Sequence, residues 1–127
     1  MAARQLGRGA VDQVAAFVDR VGQARLRARQ VGRADFDRFD LISFDACLMG
    51  EWEVAEATRE YADWFVASSE LEPGEGWPYS EVLTPLITNP DMTPDELGCH
   101  IVDAYFADSA QNQILAVIDL STLDSLA

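Results

Sequence analysis

The sequence predicts an α/β fold in which a parallel sheet is flanked by helices. Three observations carry this. An apolar content of 49% exceeds what a disordered chain shows. Short runs rich in β-branched and aromatic residues alternate with segments of helical period. Their order is helix, strand, helix, strand, helix pair, strand, an alternation that builds parallel sheets covered by helices. At 127 residues the chain is one domain or less, with a modest core. Three predicted strands make a thin sheet with exposed edges, and the domain reads as incomplete on its N-terminal side.

The elements follow in order. Val11, Val14, Val18 and Val21 recur at helical spacing, which predicts an amphipathic helix over about residues 9–30. Arg25, Arg27 and Arg29 suit the negative end of its dipole. Leu41-Ile42-Ser43-Phe44 is a short apolar run that reads as a buried strand ending at Asp45-Ala46-Cys47. A helix is predicted over 48–62, with Leu48, Trp52 and Ala55 on one face. Trp64 to Ser68 reads as a second strand, and Glu70 to Pro78 as a loop punctuated by Pro73-Gly74 and Gly76. A short helix covers Tyr79 to Ile87. Thr93-Pro94-Asp95-Glu96 combines an N-cap, a proline at the first helical position and a capping-box glutamate, starting a helix that runs to about Asp108. Gln113 to Leu120 reads as the third strand.

Charge is unevenly placed. Residues 1–38 carry eight Arg and four Asp, a balance of +4, and residues 39–127 a balance of −17, within a net charge of −13. Such acidity disfavours nucleic acid as a partner and attracts cationic ligands, although solubility alone accounts for much of it. Two cysteines and one histidine provide neither a disulfide framework nor zinc-ligand spacing. No apolar run reaches the roughly 18 residues of a membrane-spanning helix, so no membrane contact is expected. The polar, Arg-rich stretch from Met1 to Gly9 lacks a signal-peptide core. A chain beginning there stays in the cytoplasm, an expectation that fails for a piece of a longer protein, so the compartment is left unassigned.

In open parallel sheets, ligands sit outside the carboxyl ends of the strands. Cys47 falls there, directly before a predicted helix whose free amides favour a thiolate and an oxyanion. Asp45, two residues earlier, projects to the same side of the sheet. The residues alone leave two readings of Cys47: a reactive thiol, or a small apolar side chain closing a strand.

The run Phe44-Asp45-Ala46-Cys47-Leu48-Met49 closely resembles the nucleophile motif of clostripain-like cysteine peptidases. The resemblance continues through Val54-Ala55, Tyr61-Ala62-Asp63 and Val66-Ala67-Ser68. It extends over Glu70 to Tyr79 and Ile118-Asp119-Leu120, covering about residues 38–120. It implies a partial caspase-like (caspase-haemoglobinase) fold, with Cys47 as nucleophile and polypeptides carrying basic residues as substrates. It further implies that Asp45 lies at the base of a specificity pocket. A second pocket acid follows the next strand, where Glu70, Glu72 and Glu75 are the candidates.

The family's catalytic histidine stands in a His-Gly motif on a strand before the N-terminal helix, and only Met1 to Arg8 precede that helix here. The chain is therefore expected to be inactive alone and to need the rest of its domain as a partner. Some members use calcium or self-cleavage, and many are secreted; no calcium site is located, and no cofactor or metal ligand is assigned. His100 and Cys99 sit on the Pro94–Asp108 helix, which a parallel strand would require to run away from Cys47. His100 is accordingly read as a core-boundary residue and Cys99 as a packing residue. A degenerate binding or regulatory module is the alternative function. A receiver-like signalling domain is disfavoured because the chain contains no lysine.

Overall fold

The computed structural model describes residues 38–108 and 114–126, together with Ala16 and Asp19. The predicted first helix thus lies outside the described residues, apart from Ala16 and Asp19, which are helical. Strand β1 (Phe39–Ser43) is followed by helix α1 (Trp52–Thr58), strand β2 (Ala62–Ala67) and helices α2 (Tyr79–Thr88) and α3 (Pro94–Asp108). Strand β3 (Ala116–Asp119) and a 3₁₀ helix (Leu120–Leu126) complete the order. Asp119 caps that helix: its Oδ1 accepts from the Ser121 amide at 2.9 Å and the Ser121 hydroxyl at 2.7 Å.

The sheet has the order β1-β2-β3. β1 and β2 run parallel, pairing Leu41 with Trp64 and Ser43 with Val66. β3 is antiparallel to β2, with Ala67 opposite Ala116 and Trp64 opposite Asp119. The expected all-parallel sheet is therefore corrected to a mixed one, within the same α/β class. Two helices join β2 to β3. α2 leaves the edge where β1 and β2 end, and α3 returns to it, so β3 starts at that edge and must run backwards. A single crossover helix would have delivered a parallel strand.

Alternation along β2 divides the core in two. Phe65 and Ala67 face α1 and the 3₁₀ helix, packing with Ile42, Val54, Ala55, Leu120 and Leu123. Val66 faces α2 and α3, with Trp77, Val82, Ile101, Ala104 and Tyr105. Phe65 and Val66 are fully buried, each removal from water contributing about 1.5–3 kcal/mol. Phe44 meets Phe65 edge to face at 5.6 Å between ring centres.

Two helix expectations change. α1 is seven residues long and starts at Trp52, not near Leu48. Its buried face is Val54, Ala55 and Thr58, whereas Leu48 and Trp52 are exposed. The buried Thr58 hydroxyl is satisfied by donating to the Val54 carbonyl at 2.7 Å. Half of the Thr93–Glu96 capping box is formed, the Glu96 carboxylate accepting from the Thr93 amide at 3.0 Å, while the Thr93 side chain bonds the Asp95 carboxylate instead. Cys99 is exposed rather than packed. Leu97, Ile101, Ala104 and Tyr105 hold the inward face of α3, which turns position 99 outward.

Pro85 stands inside α2 and has no amide to offer the Glu81 carbonyl four residues earlier. His100 takes its place: Nε2 lies 3.0 Å from the Glu81 oxygen. Because a carbonyl only accepts, Nε2 carries the proton. His100 therefore ties α3 to the first turn of α2.

Candidate active site

The site is built where β1 and β2 end. Beyond Ser43 the chain remains paired for one more residue, the Phe44 amide donating to the Val66 carbonyl at 2.9 Å. It then bends at Ala46 to Leu48, and Leu48 adopts a left-handed conformation, φ 62°. For a residue other than glycine this costs about 1–2 kcal/mol. The bend sends residues 48–50 back along the segment that follows β2. The Leu48 amide donates to the Glu70 carbonyl at 3.1 Å and the Gly50 amide to the Ser68 carbonyl at 2.7 Å. A side chain at position 50 would stand 2.7 Å from the Ser68 and Ser69 backbone, so only glycine permits this approach.

Cys47 lies at the tip of the bend, exposed. Its activation differs from expectation: α1 begins five residues later, and Cys47 is not at a helix N-terminus. An amide does reach the sulfur, from the opposite loop. The Glu72 N–H donates to Cys47 Sγ at 3.2 Å, and the thiol in turn lies 3.8 Å from the Glu72 carbonyl, to which it donates, so the Glu72 backbone fixes the position of the sulfur.

Asp45 is half-buried, and its Oδ2 accepts from the Trp77 amide at 3.2 Å and the Tyr79 hydroxyl at 2.7 Å. Gly76, at φ 75°, lets the loop turn under this carboxylate; a Cβ there would lie 2.6 Å from Oδ2. Trp77 also donates from its indole Nε1 to Glu72 Oε1 at 3.2 Å. One tryptophan thus links both acids.

Loss of water raises the Glu72 pKa above its ordinary value; the Trp77 hydrogen bond opposes the rise and the Asp45 charge adds to it. The Tyr79 hydroxyl is raised chiefly by its bond to Asp45, which favours the protonated phenol. Burial raises Tyr105, with further contributions from the charges of Glu72, Asp45 and Cys47. Tyr105 on α3 therefore faces the same cluster. This reverses the expected course of α3, which leads toward the thiol's edge of the sheet and not away from it.

Of the candidate residues, Asp45, Cys47 and Glu72 come together. Glu70 and Glu75 are exposed, and no ion pair of their carboxylates occurs among the described residues. Glu70 contributes through its backbone, exchanging hydrogen bonds of 3.1 Å with the Ser68 hydroxyl. Gly76, Trp77, Tyr79 and Tyr105 were not legible as site residues. For Tyr105 the available signal is a hydroxyl on an otherwise apolar helix face. Among the described residues, no three His, Cys, Asp or Glu side chains are grouped to hold a metal ion. None of their helices is long and apolar enough to cross a membrane.

A thiol presented at the end of a parallel strand pair, against a carboxylate-bearing loop, is the arrangement of a cysteine hydrolase of α/β type. The sequence model of the clostripain family matches residues 12–127, and the chain belongs to that family. Among solved structures, a clostripain from Bacteroides thetaiotaomicron, in complex with the peptide inhibitor BTN-VLTK-AOMK, is 26% identical with a TM-score of 0.58. That match covers 78% of this chain and 43% of the other. A secreted cysteine protease from the same organism, bound to an irreversible peptide inhibitor, is 30% identical over 70% of this chain and 28% of its own, with a TM-score of 0.56. An inactive zymogen protease from Parabacteroides distasonis is 27% identical over 70% of this chain and 25% of its own, with a TM-score of 0.59. The chain thus spans less than half the length of these relatives. No curated protein matches the sequence.

Proposed function

We propose that this chain is the nucleophile-bearing part of a cysteine endopeptidase that cleaves polypeptides after basic residues. The observation that carries the reading is the exposed Cys47 sulfur, held by the Glu72 amide beside the Asp45 carboxylate. In the reaction, the thiolate attacks the scissile carbonyl carbon. The tetrahedral adduct collapses with cleavage of the C–N bond, and the amine leaves with a proton. Water then hydrolyses the thioester and restores the thiol. The proton acceptor is a histidine from outside these 127 residues, because the sequence's one histidine, His100, is engaged with Glu81. The 127 residues by themselves turn over peptides slowly, since an absent acid–base group costs about 10²–10⁴ in rate.

Asp45 supplies the negative charge for the substrate's cation. The test uses the protein with its histidine-bearing part joined. Asp45→Asn is expected to cut kcat/KM on basic substrates by about 30-fold or more, the loss of a charged partner costing about 2–5 kcal/mol. Activity on an uncharged substrate should change far less. Equal losses on both, accompanied by a lower melting temperature, would mean that Asp45 only anchors the loop through Trp77 and Tyr79.

A further inference from the structure

Two exposed leucines stand on the backbones that hold the thiol. Leu48, 41% exposed, adopts the left-handed conformation at φ 62°. That conformation suits glycine or asparagine, and a branched apolar side chain there is strained as well as wet. Leu71, 69% exposed, lies in a loop of glutamates, proline and glycines. The two belong to one small structure. The Leu48 amide donates to the Glu70 carbonyl, and the Glu72 amide and carbonyl both reach Cys47 Sγ. Leu48 directly follows Cys47, and Leu71 stands between Glu70 and Glu72. Each leucine is thus one peptide link from a residue that carries or contacts the sulfur. Backbone strain retained beside a reactive group marks a position with a use.

The chemistry of the thiol defines what covers these side chains. For attack, the scissile carbonyl carbon must come into contact with Sγ. Consecutive Cα atoms are about 3.8 Å apart, so the residues on either side of that bond arrive with it. They are brought against the backbones that carry Leu48 and Leu71. Leucines gain from a partner that removes their surface from water, which an apolar side chain does and a polar one does not.

We infer that Leu48 and Leu71 form an apolar cradle for a substrate side chain next to the scissile bond, so that a leucine-like residue adjoins the basic one. This rests on the peptidase reading above and is tested first without any charge. The intact chain is treated with iodoacetamide or with N-isopentyl iodoacetamide. Each reagent forms an S–C bond with loss of iodide, the thiol proton passing to the buffer. Cys99, exposed on α3, is the reference thiol in the same molecule. The ratio of Cys47 to Cys99 labelling rates is expected to be about tenfold higher for the branched reagent, as when roughly two methylene groups leave water. Leu48→Gly, which fits the left-handed backbone, and Leu71→Ser, on an exposed loop, should each lower that excess. Equal ratios for the two reagents overturn the cradle and leave the basic-residue reading standing. An excess that survives both substitutions removes the cradle from these leucines. With the histidine-bearing part joined, the excess should persist; its loss there would mean that the rest of the domain covers the leucines. In that protein, leucine in place of serine directly before or directly after the basic residue should raise kcat/KM about tenfold at one of the two positions. No rise at either position overturns the substrate assignment. A rise that needs no basic residue keeps the cradle and removes the basic-residue reading.

Discussion

A carboxyl group that loses water without gaining a cation becomes a pH-dependent liability, and Glu72 is such a group. Its folded pKa lies above the ordinary value of 4.5 because burial disfavours the charged form. The folded chain therefore holds this proton more tightly than the unfolded chain. Stability from Glu72 is present below 4.5 and is lost as pH rises through the folded pKa. Glu72→Gln keeps an acceptor for the Trp77 indole and carries no charge. Its stability relative to the unsubstituted chain should increase through that window and level off above it, as read by urea melts from acid to neutral pH. A difference independent of pH would mean that Glu72 is solvated. The thiols offer a simpler check: both are exposed, so iodoacetamide should label Cys47 and Cys99 in the folded chain. Protection of Cys99 would contradict the orientation of α3. Asp45 and Cys47 were singled out by the motif Phe44 to Met49; strand alternation cannot place Cys47, which lies in the bend at residues 46–48. The exposure of Cys99 was not legible, because a thiol is small and weakly polar, and its composition fits either face of a helix.

At the scale of elements, the two-helix connection decides the most. The sequence shows the helix pair, through the Thr93 cap and the break at Asn89-Pro90, yet not that a pair returns the chain to its starting edge. That count of helices reversed β3 and turned α3 toward the thiol, bringing Tyr105 with it. The α1 boundary was missed for a different reason. Leu48 and Met49 have high helix propensity, but the left-handed turn and the pairing with Glu70 and Ser68 override it. The α2–α3 contact yields a prediction of coupling. His100→Ala should destabilise the chain by about 0.5–1.5 kcal/mol, the net worth of one hydrogen bond. Pro85→Ala restores an amide that can serve the Glu81 carbonyl. In that background the His100→Ala cost should shrink, and a double-mutant cycle in denaturant measures the difference. Strictly additive effects would show that the imidazole contact contributes nothing.

For the whole molecule, net charge dominates. The described ion pairs are Arg38–Asp63 at 2.8 Å and Arg59–Glu56 at 3.3 Å, both largely solvent-exposed. Against a net charge of −13, self-repulsion outweighs them. Raising sodium chloride from 0.02 to 0.5 M, which shortens the screening length from about 20 Å to about 4 Å, should raise the melting temperature. A fall would show that ion pairs outweigh repulsion. The sequence carried the class and family of the molecule, because motif order survives where three-dimensional contacts are invisible. Which of Glu70, Glu72 and Glu75 places its carboxylate on Trp77, beside Asp45, was not readable. Their spacing is similar, and only the Trp77 indole, folded back by Gly76, distinguishes them.

The backbone ladder joining residues 48–50 to 68–70 also governs where the chain can tolerate added length. One residue inserted between Cys47 and Gly50 breaks the register between the Leu48–Glu70 and Gly50–Ser68 bonds that hold the sulfur against the Glu72 amide. The same residue after Gly74, where a side chain would meet nothing within 4 Å, extends an exposed turn and leaves the ladder in register. Labels or affinity handles grafted at that tip should therefore leave the thiol in place.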